Sequence, residues 1–388
     1  MAEQIITGID IGTYHVKVAV ARVPKNASPN QKPEIIGTGM AESRGMKNGY
    51  IIHPEEVARS VKAAVSQAEK TAGLPIKRAH VAIGSIGLEE MYSHGEIIPT
   101  RADSEVTNGD LEKLMQDSEE RMLDRIPNRR ILHGIPLRYT IDGSEVLGRP
   151  QGLKGTKLEV DSLFITTYEQ HINDIITTVE NVGVYVEDVI ASPLAASFVL
   201  LSKAQKRAGC ILTNLGAETT SIVIFEESTP ISLKVFPVGS NDITNDIALG
   251  LRVPLEDAEK IKHAHGCAFS ALVGEDETIE VSSVGGREAR TVSRKILSEI
   301  LEARSREMLE MLNHEINVSG FRDIISSGIV LTGGTASLAG MGELGEEIFQ
   351  LPVRVGTPTK LGGLIDVVGS PMYATSTGLI QYGMKSYK

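Results

Sequence analysis

The sequence predicts an α/β fold of two similar halves facing one another across a cleft, with an α+β unit inserted into the first half. Three observations carry this reading. Strand-like and helix-like periods alternate along the chain. A Gly-turn hairpin near the N-terminus returns at an offset of 204 residues, so that Asp10 falls on Asn214. The chain has 388 residues, more than one core usually holds, since domains run to roughly 100–200 residues.

The elements follow in order. "QIITGIDIGTYHVKVAVARV" reads as strand, tight Gly turn and strand. The polar "PKNASPNQKPE" is a loop before the strand "IIGTGMAES". "HPEEVARSVKAAVSQAEKTAG" is a helix with Pro54 in its first turn and Gly73 as its stop. The strand "RAHVAIG" comes next. "TNGDLEKLMQDSEERMLDRI" is then a helix capped by Thr107, Asn108 or Asp110, between the strand-like pieces "HGEIIPT" and "ILHGIPLRYTIDG". Residues 83–163 therefore form the candidate inserted unit. A strand–helix–strand–helix run (163–201) leads to the repeated hairpin "CILTNLGAETTSIVIF", and "SSGIVLTGGTASLAG" (326–340) reads strand, Gly-Gly, helix.

Laying "TGIDIGTYHVKVAV" over "LTNLGAETTSIVI" sets Gly12 on Gly216 and Lys17 on Ser221. Glycine lets a turn approach an anion closely, and the outward N–H groups of such a turn form a nest for phosphate. Each motif alone is equally well a plain hairpin turn. The repeat in register, joined by a third Gly turn, favours a clamp for the phosphates of a nucleotide.

Composition narrows the class. Only 4% of residues are aromatic, none is Trp, and the net charge is −11, which disfavours nucleic acid as a partner. Two cysteines, Cys210 and Cys267, offer no disulfide framework and fit a reducing cytoplasm. No apolar run reaches 18 residues, and the N-terminus lacks the pattern of a signal peptide. "HAHGC" (263–267) gathers two imidazoles and a thiol, but the spacing is not that of a zinc site.

Taken together these motifs resemble the actin, sugar-kinase and heat-shock-chaperone ATPase superfamily, and within it the FtsA family of bacterial cell-division actin homologues. The resemblance spans about residues 5–383. It rests on phosphate loop one ("GIDIGTYHVK"), a first connector ("ASPLAASF"), phosphate loop two ("TNLGAETTS"), an adenosine motif ("GIVLTGGTASLAG") and a second connector ("YATSTGLIQYG"). The segments "SRGMKNG" and "HGCAFSALVGEDETIEVSSVGGRE" and the inserted unit are similar to FtsA in particular.

The resemblance implies an actin-like, duplicated ribonuclease-H-like fold. Its subdomains would be 1A (1–82 and 164–192), the inserted 1C (83–163), 2A (193–238 and 317–388) and 2B (239–316). It also implies a cytoplasmic ATP-binding filament former, peripheral at the inner face of the cell membrane at the division site. Such a protein assembles with copies of itself, binds the C-terminal tail of FtsZ, and recruits other divisome proteins through 1C. The membrane is reached through a C-terminal linker and amphipathic helix. This chain ends at "GLIQYGMKSYK", and the expectation is a chain cut short of that helix.

Carried over residue by residue, the pattern assigns Asp10 to Mg²⁺ through water and Gly12, Thr13, Tyr14 and Lys17 to the phosphates. Gly333, Gly334 and Thr335 would back the base and sugar. Glu259 and Lys262, three apart on one helical face, would meet the nucleoside, although from spacing alone they are an ordinary solvated pair. Gly239 and Asn241 would close the pocket. Loop two departs from the family's Asp-x-Gly-Gly-Gly-Thr-x-Asp: here stand Asn214, Gly216, Ala217, Glu218 and Thr219, with Ser221 at the second acid.

Asn214 offers neither charge nor a base. A carboxylate at Glu218, about 6 Å from a phosphate charge, would be repelled by roughly 3 kcal/mol unless it points away. The first connector has Ser192 where hydrolytic relatives often carry Glu or Gln. Weak or absent hydrolysis is therefore expected. On residues 290–316 the pattern sets Val292, Ile296, Ile300, Met308, Leu312 and Ile316 on one apolar face, and the family's tail-binding Arg and Glu match Arg304 and Glu307. A sugar or acetate kinase, or an FtsA-like pilus-assembly adaptor, are the alternatives.

Overall fold

The computed structural model describes residues 3–24, 31–123, 125–281 and 290–386. The chain opens with β1 (Glu3–Ile11), β2 (His15–Pro24) and β3 (Glu34–Glu42), an antiparallel meander. A small hairpin, β4 (Met46–Lys47) and β5 (Tyr50–Ile51), turns at Asn48 and Gly49, both at positive φ, which Asn and Gly tolerate best. Helix α1 (Pro54–Ala72) packs Val57, Val61, Ala64 and Ala68 onto this meander and stops at Gly73 in the left-handed conformation, as the sequence predicts. Strand β6 (Arg78–Ile83) then adds parallel to β1.

The inserted unit follows as β7 (Glu89–Ile97), α2 (Asn108–Leu123), β8 (Arg129–Ile141), β9 (Ser144–Val146) and β10 (Leu158–Tyr168), with strand order β7-β10-β8-β9. Of the three candidate caps, Thr107 occupies the position: its hydroxyl accepts from the Asp110 N–H at 3.2 Å while Asp110 takes the Thr107 N–H at 2.8 Å, a reciprocal capping box. The unit has its own core of Val106, Leu111, Leu114, Leu158 and Val160. It leans on the second half through Tyr92, whose hydroxyl donates to the Ile231 carbonyl at 2.9 Å.

The chain returns through α3 (Glu169–Glu180) to β11 (Tyr185–Ala191), which completes the run β11-β6-β1-β2-β3. Helices α4 (Ser192–Leu200) and α5 (Lys203–Ala208) cross to the second half, where β12 (Cys210–Leu215), β13 (Thr220–Glu226) and β14 (Thr229–Phe236) repeat the meander. Next come α6 (Ser240–Leu251), α7 (Leu255–His265), the hairpin β15 (Thr278–Val281) and β16 (Arg290–Ser293), and α8 (Arg294–Val318). Part of the FtsA-like segment at 265–288, residues 282–288, lies outside the described residues. Strand β17 (Ile329–Thr332), α9 (Met341–Phe349) and β18 (Val353–Val355) finish a sheet ordered β14-β13-β12-β17-β18. Three antiparallel strands and then parallel ones appear in both sheets, so the duplication reaches topology.

The last elements are β19 (Gly362–Gly363), α10 (Ile365–Val368) and α11 (Ala374–Ser386). The sequence reading groups them with the second half, yet β19 pairs with β3 and α11 packs on β1 and α4. Gly8 makes the approach possible, because a Cβ there would collide with the Ser376 carbonyl. The 290–316 segment also differs from its pattern: Val292 belongs to β16 and Ile296 is 52% exposed. Leu297, Leu301, Met308, Leu309, Leu312 and Ile316 form the buried face of α8. Among the described residues no helix is long and apolar enough to cross a membrane.

Candidate functional site

The two Gly turns share one backbone design. In the first, the Gly12 N–H donates to the His15 carbonyl at 3.1 Å; in the second, the Gly216 N–H donates to the Thr219 carbonyl at 2.9 Å. Asp10 lies opposite Lys17 across the first hairpin, and Asn214 lies opposite Ser221 across the second. Both turns open onto one cleft of about 590 Å³ between the halves. Asp10, Gly12, Thr13, Tyr14 and Lys17 line it from one side, and Asn214, Gly216, Ala217 and Thr219 from the other.

The third Gly turn closes the floor. Gly333, Gly334 and Thr335 line the cleft, and the Thr335 hydroxyl donates to the Gly216 carbonyl at 3.0 Å. Gly333 has φ +90°, and a side chain there would strike Asn214 Oδ1 and the Leu215 carbonyl, so the position requires glycine.

Glu259 and Lys262 also line the cleft and are far from a solvated pair. Lys262 is 3% exposed, with Nζ 2.7 Å from Glu259 Oε2 and 2.7 Å from the Thr244 hydroxyl. His263 Nε2 lies 3.0 Å from the other Glu259 oxygen. Burial would raise the Glu259 pKa, but hydrogen bonds from His263, Lys262 and Thr244 and the Lys262 charge hold it at about 2. Tyr14 reaches toward this group from the first half; burial and the Glu259 carboxylate push its hydroxyl upward.

Three predicted residues are not in the cleft wall. Glu218 turns aside: Oε2 accepts from the Asn48 N–H at 2.6 Å and Oε1 from Asn241 Nδ2 at 3.4 Å. The carboxylate that would repel a phosphate instead joins loop two to the β4–β5 turn of the first half. Gly239 and Asn241 stand behind the loop. The N–H groups of Ser240 and Asn241, at the start of α6, donate to the Gly216 and Ala217 carbonyls at 3.0 and 2.8 Å, and a Cβ at Gly239 would meet the Ala217 carbonyl. A second bond between the halves runs from the Thr219 hydroxyl to the Gly84 carbonyl at 3.3 Å.

Sequence reasoning missed His15, Arg294 and Met372, which also line the cleft. His15 stacks edge-on against Tyr14 with centroids 4.5 Å apart, and burial followed by the Lys17 charge lowers its pKa. Its place beside Tyr14 in the turn was a usable signal. Arg294 and Met372 arrive from distant segments and carried none. In "HAHGC", His263 serves Glu259 while the Cys267 thiol donates to the Phe269 carbonyl at 3.2 Å, so the segment gathers no ligand set.

The donor set does not fit a divalent cation well. Among the described residues the cleft wall holds two carboxylates, Asp10 and Glu259. Asp10 Oδ2 is 2.9 Å from Lys17 Nζ, and Glu259 is engaged as above. Asn214 brings no charge.

Away from the cleft, Arg304 grips Asp246 of α6 with Nε–Oδ2 at 2.6 Å and Nη2–Oδ1 at 3.2 Å, and Glu307 with Nη1 at 2.8 Å. On the same two helices Leu249 of α6 is 76% exposed and Ile296 of α8 is 52% exposed.

Comparison with known proteins matches residues 211–378 to the family described as cell division protein FtsA, and residues 88–166 to the SHS2 domain inserted in FtsA. The cell division protein FtsA of Pseudomonas aeruginosa is 37% identical over 98% of this chain and 90% of its own length. That of Escherichia coli K12 is 33% identical over 99% and 91%, and that of Bacillus subtilis is 31% identical over 99% and 84%. In fold the chain is similar to a PilM–PilN type IV pilus biogenesis complex (TM-score 0.69, 14% identity, 98% of each chain) and to ADP-bound MreB5 of Spiroplasma citri (TM-score 0.52, 14% identity, 99% and 98%). With its duplicated actin-like halves and inserted domain, the chain belongs to the FtsA family of cell division proteins.

Proposed function

We propose that this chain is a division protein that binds ATP in the cleft between its halves and uses it as a structural ligand, with little or no hydrolysis. The observation that carries the reading is the pair of Gly turns, matched in backbone and facing one another above a third Gly turn. Turns of this kind and the Lys17 ammonium suit phosphates, and the Tyr14, Glu259 and Lys262 wall suits a nucleoside. Hydrolysis needs a base for the attacking water. Asn214 and Ser192 cannot supply one, and His15, its pKa lowered by burial, is a poor proton acceptor.

The α6–α8 surface would receive the FtsZ tail at Arg304 and Glu307, with Leu249 and Ile296 as apolar neighbours. Self-assembly, recruitment of other divisome proteins through the inserted unit, and attachment to the membrane through a C-terminal amphipathic helix complete the proposal.

Calorimetric titration with ATP tests the cleft. Saturable binding together with negligible phosphate release in a single-turnover assay is expected, and release at rates typical of active actin relatives would refute the structural-ligand reading. For the docking surface, Arg304→Glu should weaken binding of an FtsZ tail peptide by roughly tenfold or more, measured by fluorescence anisotropy. Unchanged affinity would remove Arg304 from the interface.

A further inference from the structure

We propose that the cleft binds its nucleoside triphosphate without a divalent cation, the Lys17 ammonium serving as the resident counter-charge. The inference rests on the nucleotide reading above and narrows the form in which the ligand enters. Mg²⁺ keeps several waters and is held by one or two carboxylates together with the phosphates. Of the two carboxylates in this cleft wall, Glu259 is already bound to Lys262, His263 and Thr244. Asp10 remains, and it faces Lys17 across the hairpin at 2.9 Å, both side chains only 13% exposed.

A cation carried by Asp10 would share that carboxylate with an ammonium at ion-pair distance, and like charges so placed repel. The opposite turn does not compensate. Asn214 stands at the counterpart of Asp10 and Ser221 at the counterpart of Lys17, so the second turn contributes no charge to a hydrated metal.

Lys17 is also well placed for the phosphate itself. Its Nζ lies 3.6 Å from the point where a Cβ on Gly12 would stand, over the turn that lines the cleft. An ammonium there neutralises phosphate charge as a fixed point charge.

The test is titration of the full chain with ATP by intrinsic fluorescence or calorimetry, once with Mg²⁺ and once with excess EDTA. The expected dissociation constants agree within about fivefold. Lys17→Met should weaken binding by roughly tenfold or more in both buffers. Lys17→Ser combined with Asn214→Asp frees one acid and adds another, and should bind at least about fivefold more tightly with Mg²⁺ than with EDTA.

Wild-type binding that is more than about fivefold tighter with Mg²⁺ would overturn the inference and leave the nucleotide reading standing. Absence of binding in both buffers would overturn the two together. The wild-type comparison needs no variant to fold, and circular dichroism checks those that are made.

Discussion

Turn one and turn two have the same backbone and opposite surroundings. Turn one, at Gly12, carries Asp10, His15 and Lys17 and presents them to the cleft. Turn two, at Gly216, carries neutral Asn214, Thr219 and Ser221, and its remaining polar groups are used to hold it in place. The start of α6 takes two of its carbonyls, Thr335 shares one of them, and Glu218 and Thr219 tie it to Asn48 and Gly84 of the other half. The difference teaches that a duplicated loop can keep its geometry while exchanging chemistry for mechanics. One turn keeps the charge, and the other holds the halves together at Asn48 and Gly84.

Acid should have the largest effect, because two imidazoles of the first half, half-buried His133 and buried His171, sit where protonation is disfavoured. Burial lowers His133 and His171 to about 4 from the usual 6.5. His133 Nε2 accepts the Ala191 N–H at 3.1 Å, which requires the neutral ring. The folded form therefore holds fewer protons than the unfolded chain between these values, and their contribution is complete above about pH 6.5 and lost as pH falls toward about 4. Each shift corresponds to at most roughly 3 kcal/mol. Urea midpoints measured across this window should fall with acid, and His171→Asn or His133→Gln should flatten the curve. A wild-type profile flat through the window would contradict it.

A smaller effect sharpens the mechanical role of turn two. Glu218→Gln weakens a charge-assisted bond to the Asn48 N–H and should cost about 1 kcal/mol. Hydrogen exchange at the Asn48 amide should accelerate, while ATP affinity changes little because this side chain lies outside the cleft wall. A drop in ATP affinity with unchanged exchange would show instead that Glu218 faces the ligand.

Much of the site was legible because its signals are local. The repeat aligned the two hairpins residue for residue, and the structure pairs Asp10 with Lys17 and Asn214 with Ser221 at matching positions. The three-residue spacing put Glu259 and Lys262 on one face. What the pattern missed was long-range. Glu218 meets Asn48 across 170 residues, and the apolar face drawn through Val292 and Ile296 failed because the chain is still a strand at Val292 and packing against α6 and α9 rotates the buried stripe to Leu297 and Leu301.

By itself, then, the sequence determined the duplicated hairpins, the three Gly turns, the Gly73 helix stop and the loss of acids in loop two. All of these follow from backbone preference and residue chemistry over a few positions. Tertiary structure alone decided that Glu218 faces the other half, that Lys262 is buried, and that the final helix lies on the first sheet. Those outcomes depend on which distant surfaces exclude water together, and no local spacing encodes that choice.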